Sequence, residues 1–237
     1  ILESINGNFR VGGSDYFVTE ACEYTNSFLS FFPKIAIILN IDADHLDFFK
    51  DINDIRHSFH KFAELLPDDG TLVINGEIPD LEEITEGLKC RIITFGMDSR
   101  FDYYASDITT DELVHPSFIL HSADKGSRSI TLGVSGIHNV YNAMAAVAVA
   151  DLFDIDDNTS GSALKQFHGT DRRFQYKGKC NGFTVIDDYA HHPTEIKATL
   201  TAARRYPHKK LWCIFQPHTY TRTKALMPQF AEALAMA

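Results

Sequence analysis

The sequence predicts an α/β protein: a mostly parallel central sheet flanked by helices, with a small antiparallel region, followed by the start of a second α/β unit. Three observations carry that expectation. Short runs rich in β-branched residues, at 35–39, 71–75 and 91–95, alternate with stretches of helical period. That is the pattern of parallel strands covered on both faces. Shorter alternating segments at 103–109, 117–121 and 128–132 then read as antiparallel strands. After a polar joint at residues 169–174 the strand–helix rhythm restarts.

Taken in order, residues 16–19 (YFVT) read as a strand ending at Glu20, and residues 35–39 as a strand followed by Asn40, Asp42, Asp44, His45 and Asp47. Ligands of open α/β sheets sit just beyond the carboxyl ends of the strands. If these two strands pair in parallel, Glu20 and the Asp44–His45 pair face one crevice, and carboxylates with an imidazole suit a divalent cation such as magnesium. The same cluster also suits a polar loop capping the helix predicted over 51–66. In that helix Ile52, Ile55, Phe59, Phe62 and Leu66 recur at helical spacing. His57 and His60 lie on it three apart, without a third ligand. Residues 67–70 (PDDG) form a turn, 79–88 a short helix, and 124–127 a hairpin turn.

The helix predicted over 136–153 opens on His138, Asn139 and Asn142. The two asparagines share a face. A primary amide offers a donor and an acceptor together, which suits a purine edge; capping and surface roles suit them as well. A second helix follows at 161–167. The joint carries Arg172 and Arg173, either a site for phosphate or carboxylate or a solvated basic pair. Beyond it come a strand at 175–180, a strand at 184–186 topped by Asp187, Asp188, Tyr189, His191 and His192, and a helix over 193–205 that starts at Pro193. A helix start favours a bound anion by ~0.3–1 kcal/mol. A strand at 211–215, a polar loop with His218 and Arg222, and a helix from Lys224 end the chain. Two units whose strand tops are polar place the natural site in the cleft between them.

A net charge of −10 disfavours nucleic-acid binding. No segment reaches the ~18 apolar residues of a membrane span. Cys22, Cys90, Cys180 and Cys213 are far apart in the chain, as expected of buried free thiols in a reducing compartment. The chain opens without Met or a secretory signal and closes inside a helical pattern, so a chain cut at both ends is expected. Nothing in it specifies an oligomeric state.

The blocks VTEACEYTNSFL, NIDADHLD, GIHNVYNAMAAVAVA, GTDRRF, DDYAHHPTE and FQPHTYTRT, in this order, resemble the bacterial Mur ligases over residues 16–223. They are most similar to members that join L-alanine to UDP-N-acetylmuramate. The resemblance implies a central ATP-binding domain over residues 1–172 and the first part of a Rossmann-like domain over 173–237. It implies ATP-dependent ligation of L-alanine to the lactyl carboxylate through an acyl phosphate, with ATP and magnesium, in cytoplasmic peptidoglycan precursor synthesis. The murein-peptide recycling ligase of the same family and a non-catalytic nucleotide-binding module are the alternatives.

By resemblance, Glu20 and His45 match magnesium positions, with Asp44 supporting His45. His138, Asn139 and Asn142 match adenine contacts, and Arg173 and Asp188 match ATP contacts from across the joint. His191 and Arg222 match positions near the nascent amino-acid end. The sequence departs from the family at three places. No GK[ST] phosphate loop occurs in it, Thr219 stands where some relatives carry a second arginine, and Tyr24, Thr25 and Asn26 replace acids often found after Glu23.

Overall fold

A computed structural model describes Ile5, residues 7–13 and residues 16–237. Six strands form one sheet in sequential order: β1 (Ile35–Ile38), β2 (Thr71–Asn75), β3 (Arg91–Gly96), β4 (Tyr103–Thr110), β5 (Pro116–Ser122) and β6 (Gly126–Thr131). β1 to β4 pair in parallel and β4 to β6 antiparallel. The antiparallel strands therefore continue the parallel sheet.

Side chains alternate across this sheet. Val73, Ile93 and Phe95 pack with Val140, Met144 and Val147 of helix α3 (His138–Leu152) on one face. Ile38, Leu72 and Ile74 pack on the other face against Phe62 and Ala63 of α1 (Ile52–Glu64), Ile84 of α2 (Glu82–Thr85), and Phe28 of a 3-10 helix (Tyr24–Ser30). The Asp51 carboxylate caps α1, accepting from the Asn53 and Asp54 amides at 3.0 Å, which contributes about 1 kcal/mol. α4 (Asp157–Gln166) flanks β6 and is joined to the sheet by Arg128. That guanidinium bonds both Asp151 of α3 and Asp157, and Tyr103 of β4 donates to Asp151 at 2.9 Å.

The second unit begins with the antiparallel pair β7 (Gln175–Cys180) and β8 (Phe183–Asp187). Ile196 and Leu200 of α5 (Pro193–Arg205) bury against Phe230 and Ala233 of α7 (Met227–Leu234), with α6 (Tyr220–Ala225) leading into α7.

Five sequence expectations fail locally. Residues 16–19 form no strand, and Phe17 and Val18 are 87% and 94% exposed. Without a strand there, the expected parallel pairing with β1 does not exist among the described residues. β1 is an edge strand whose Ile37 is 44% exposed, so it is not covered on both faces. Residues 211–215 likewise form no strand. Among the described residues they have no neighbour to complete a ladder, and Ile214 is 99% exposed; apolar composition without a hydrogen-bonding partner does not make a strand. α4 starts at Asp157, ahead of the expected residue 161, because Asp156 caps it by accepting from the Thr159 amide at 3.0 Å. Among the cysteines only Cys90 is buried; Cys22, Cys180 and Cys213 are exposed, and all four are free.

Candidate active site

Two neighbouring clefts lie where the units meet. The larger, about 1180 Å³, is lined by the ends of β1 and β2, the start of α3, the joint and the start of α5. His138, Asn139, Asn142, Arg173 and Asp188 all line it. The smaller, about 330 Å³, is lined by Asp44, His45, His191, Thr219 and Arg222, with Tyr24 and Tyr189.

The turn into α3 is shaped by Gly136, whose φ is +100°. A side chain at that φ would be strained and would have to displace the His138 ring, 2.6 Å from a Cβ there, which favours glycine. Asn139 donates through Nδ2 to the Ser135 carbonyl at 2.8 Å, and Asn142 donates to Asn139 Oδ1 at 3.0 Å. The amides are thus fixed as a ladder. Desolvation in the cleft wall lowers the His138 pKa below its ordinary value; Arg173 lowers it further, and Asp188 opposes both. His138 is therefore a neutral imidazole at pH 7.

On the opposite wall, Asp188 accepts the Phe174 and Ala190 amides, each at 2.7 Å. It ties the joint to the end of β8, where Arg172 and Phe174 adopt positive φ. α5 starts with a capping box between His192 and Glu195. Glu195 accepts Arg173 at 3.0 Å through one oxygen and the His191 amide at 2.9 Å through the other. Burial alone would raise the Glu195 pKa, but the His191 amide and Arg173 outweigh it and hold the carboxyl below its ordinary value. Glu195 was not singled out from sequence; an acid in the first turn after Pro193 was the available signal.

The loop after β1 reaches across to the second unit. Asp42 accepts the Thr194 hydroxyl, and the Ala43 carbonyl lies 3.3 Å from His192 Nε2. Asp44 binds Arg222 through Nε and a terminal nitrogen, both at 2.9 Å, and also accepts the His45 amide at 2.7 Å. Burial would raise the Asp44 pKa; the His45 amide and Arg222 outweigh it and lower it.

His45, at φ +54°, stacks on Tyr24 with centroids 4.4 Å apart. Tyr24 is held by Asp47 at 2.8 Å. The carboxylate nearest the His45 ring is Glu23, at 3.4 Å. Glu20 is exposed, and its carboxylate makes no hydrogen bond or ion pair among the described residues. No group of three or more His, Cys, Asp or Glu arranged for a metal occurs among the described residues. Magnesium, however, takes only one or two carboxylates and completes its shell with water and substrate phosphates. His45 lines the smaller cleft, whereas Glu20 lines neither, so no observed contact among the described residues brings the two together.

Comparison with known proteins identifies the family. The Mur ligase middle domain model matches residues 3–150, and the Mur ligase, glutamate ligase domain model matches residues 172–237. UDP-N-acetylmuramate–L-alanine ligases of Agathobacter rectalis and Lachnospira eligens are each 56% identical over 100% of this chain, which covers 52% of each of them. The chain thus spans about half the length of the curated relatives it matches. Among solved structures, the UDP-N-acetylmuramate-alanine ligase of Thermotoga maritima superposes with a TM-score of 0.71 at 30% identity, over 90% of this chain and 46% of that one. A murein peptide ligase of Psychrobacter arcticus superposes at 0.59 and 30% identity, over 81% and 39%. With residues 3–150 and 172–237 matched by the two family models, and relatives 56% identical over the whole of this sequence, this chain belongs to the Mur ligase family.

Proposed function

We propose that the protein carrying this chain ligates L-alanine to the lactyl carboxylate of UDP-N-acetylmuramate, coupled to conversion of ATP to ADP and phosphate, in cytoplasmic synthesis of a peptidoglycan precursor. The carrying observation is the convergence of His138, Asn139, Asn142, Arg173 and Asp188 on one cleft, beside a second cleft holding His45, His191 and Arg222. The relatives' names supply the substrates.

In this reading the larger cleft takes the nucleoside end of ATP, with the Asn139–Asn142 ladder on the adenine edge. A volume of about 1180 Å³ is ample for a nucleotide. The sequence contains no GK[ST] loop, so the β- and γ-phosphates need a cradle from outside these 237 residues. Arg173 brings a cation to the phosphates from across the joint, and Asp188 fixes the joint's geometry. Glu20 and His45 would hold magnesium, which when bound neutralises charge on the transferring phosphoryl group. His191 and Arg222 orient the carboxylate and amine that become the new amide. Closure of the two lobes excludes water from the activated carboxyl group.

The test offers the full-length protein L-alanine and, separately, the murein tripeptide as amine substrate, with UDP-N-acetylmuramate and ATP. ADP formation is expected with L-alanine. Turnover with the tripeptide alone points instead to the recycling ligase, which the likeness to the Psychrobacter arcticus structure keeps as the second reading. ATP binding without turnover on either substrate points to a nucleotide-binding module.

A further inference from the structure

A polar relay runs along the floor of the larger cleft, and none of its members is among the assigned nucleotide contacts. Asn75, at the end of β2, donates through Nδ2 to the Leu39 carbonyl after β1 at 3.1 Å. The Asn75 side-chain oxygen accepts the Glu77 amide at 2.9 Å. Glu77 then spends both carboxylate oxygens: Oε1 accepts the Met97 amide after β3 at 2.7 Å, and Oε2 accepts the Tyr141 hydroxyl of α3 at 2.7 Å. Asn75, Glu77 and Tyr141 all line the cleft.

The relay ties the carboxyl ends of three parallel strands to the first turn of α3. Tyr141 sits between Asn139 and Asn142 in sequence, so its hydroxyl bond fixes the rotation of the turn that carries both amides. Burial, and then Glu77, raise the Tyr141 pKa; the phenol keeps its proton at any working pH and remains a donor. Apolar packing of Val140 and Met144 sets the depth of α3 but leaves its rotation less defined, because dispersion contacts are non-directional. A charge-assisted bond at 2.7 Å is directional.

We propose that Glu77 and Tyr141 are positioning residues that set the register of the Asn139–Asn142 ladder against the strand ends, and thereby determine adenine over guanine selectivity. The proposal rests on the nucleotide reading of this cleft. It acts through the asparagines, so neither residue needs to touch the base.

The test measures equilibrium affinities for ATP and GTP by displacement of a fluorescent ATP analogue from the full-length protein. Y141F, E77A, E77Q and N142A are compared, with thermal midpoints recorded alongside. Y141F and E77A are expected to weaken ATP about fivefold or more and to narrow the ATP/GTP ratio by a similar factor. E77Q restores most of both, since an amide still accepts from Met97 and pairs with the phenol. The double variant E77A/Y141F is expected to match the worse single variant. If Y141F and E77A leave affinity and ratio within twofold while N142A lowers ATP affinity, the positioning role is wrong and the nucleotide reading stands. If N142A is silent as well, both fall. Equal loss of ATP and GTP affinity alongside a lowered thermal midpoint reduces the relay to ordinary stabilisation and overturns the selectivity claim.

Discussion

Arg222 closes two nitrogens on one oxygen of Asp44, each at 2.9 Å, across 178 residues of chain. Both side chains are mostly buried, with 11% and 24% of their surface exposed. The bond joins the loop after β1 to α6 and holds the smaller cleft together. A double-mutant cycle with D44N and R222Q, followed by urea unfolding, is expected to give a coupling of about 1–3 kcal/mol. Additive losses would mean that the two lobes do not meet this way in solution.

The pH dependence of that pair has a definite sign. Asp44 has a folded pKa below its unfolded value, so its contribution is fully present above about pH 4–5. It is lost as pH falls through the folded pKa. Wild type is expected to lose stability in that acid window faster than D44N, and the two curves should converge at the lowest pH where the protein still folds.

His138 titrates in the opposite sense to a salt-bridged histidine. Its folded pKa lies below 6.5, so the unfolded chain binds a proton first, and stability falls as pH drops below about 6.5. In histidine-selective NMR, R173A is expected to raise the His138 pKa by removing a repelling cation. D188N is expected to lower it by removing an attracting anion. Movement of both variants in one direction would contradict the stated arrangement of charges.

For the magnesium assignment, H45A and E20A in the full-length protein are each expected to reduce magnesium-dependent turnover tenfold or more, roughly 1.4 kcal/mol or above. E23A serves as the control for the acid that lies 3.4 Å from the His45 ring. If the half-saturating magnesium concentration rises in E23A and not in E20A, the ligand is Glu23.

The Arg128 network is a prediction about folding alone. Arg128 and Asp151 side chains are 8% and 6% exposed. R128A leaves Asp151 buried with Tyr103 and Lys125 as its remaining partners. A loss of about 3–5 kcal/mol is expected, read from the shift of the urea midpoint at unchanged slope.

Elements with a strong local signature were legible in the sequence. β2, β7 and α5 fall where period, propensity and Pro193 put them. Residues 16–19 and 211–215 carried the same strand composition and are not strands, because a strand is completed by a neighbour that composition does not supply. The residues lining the two clefts stand out in the sequence as blocks, yet the partnerships among them do not. Nothing in the letters shows that Asp44 meets Arg222, that Glu23 is the acid nearest the His45 ring, or that Glu77 reaches Tyr141 across 64 residues. These pairings follow from tertiary packing, and only three-dimensional placement exposes them.

The capping box at the start of α5 has one more implication. Its acid answers to two masters, Arg173 in one chamber and the His191 backbone in the other, with a separate oxygen for each. In the proposed reading, a substitution that retunes the grip on the nucleotide side therefore cannot leave the bond-forming side untouched. A replacement at Glu195 has to satisfy both chambers at once.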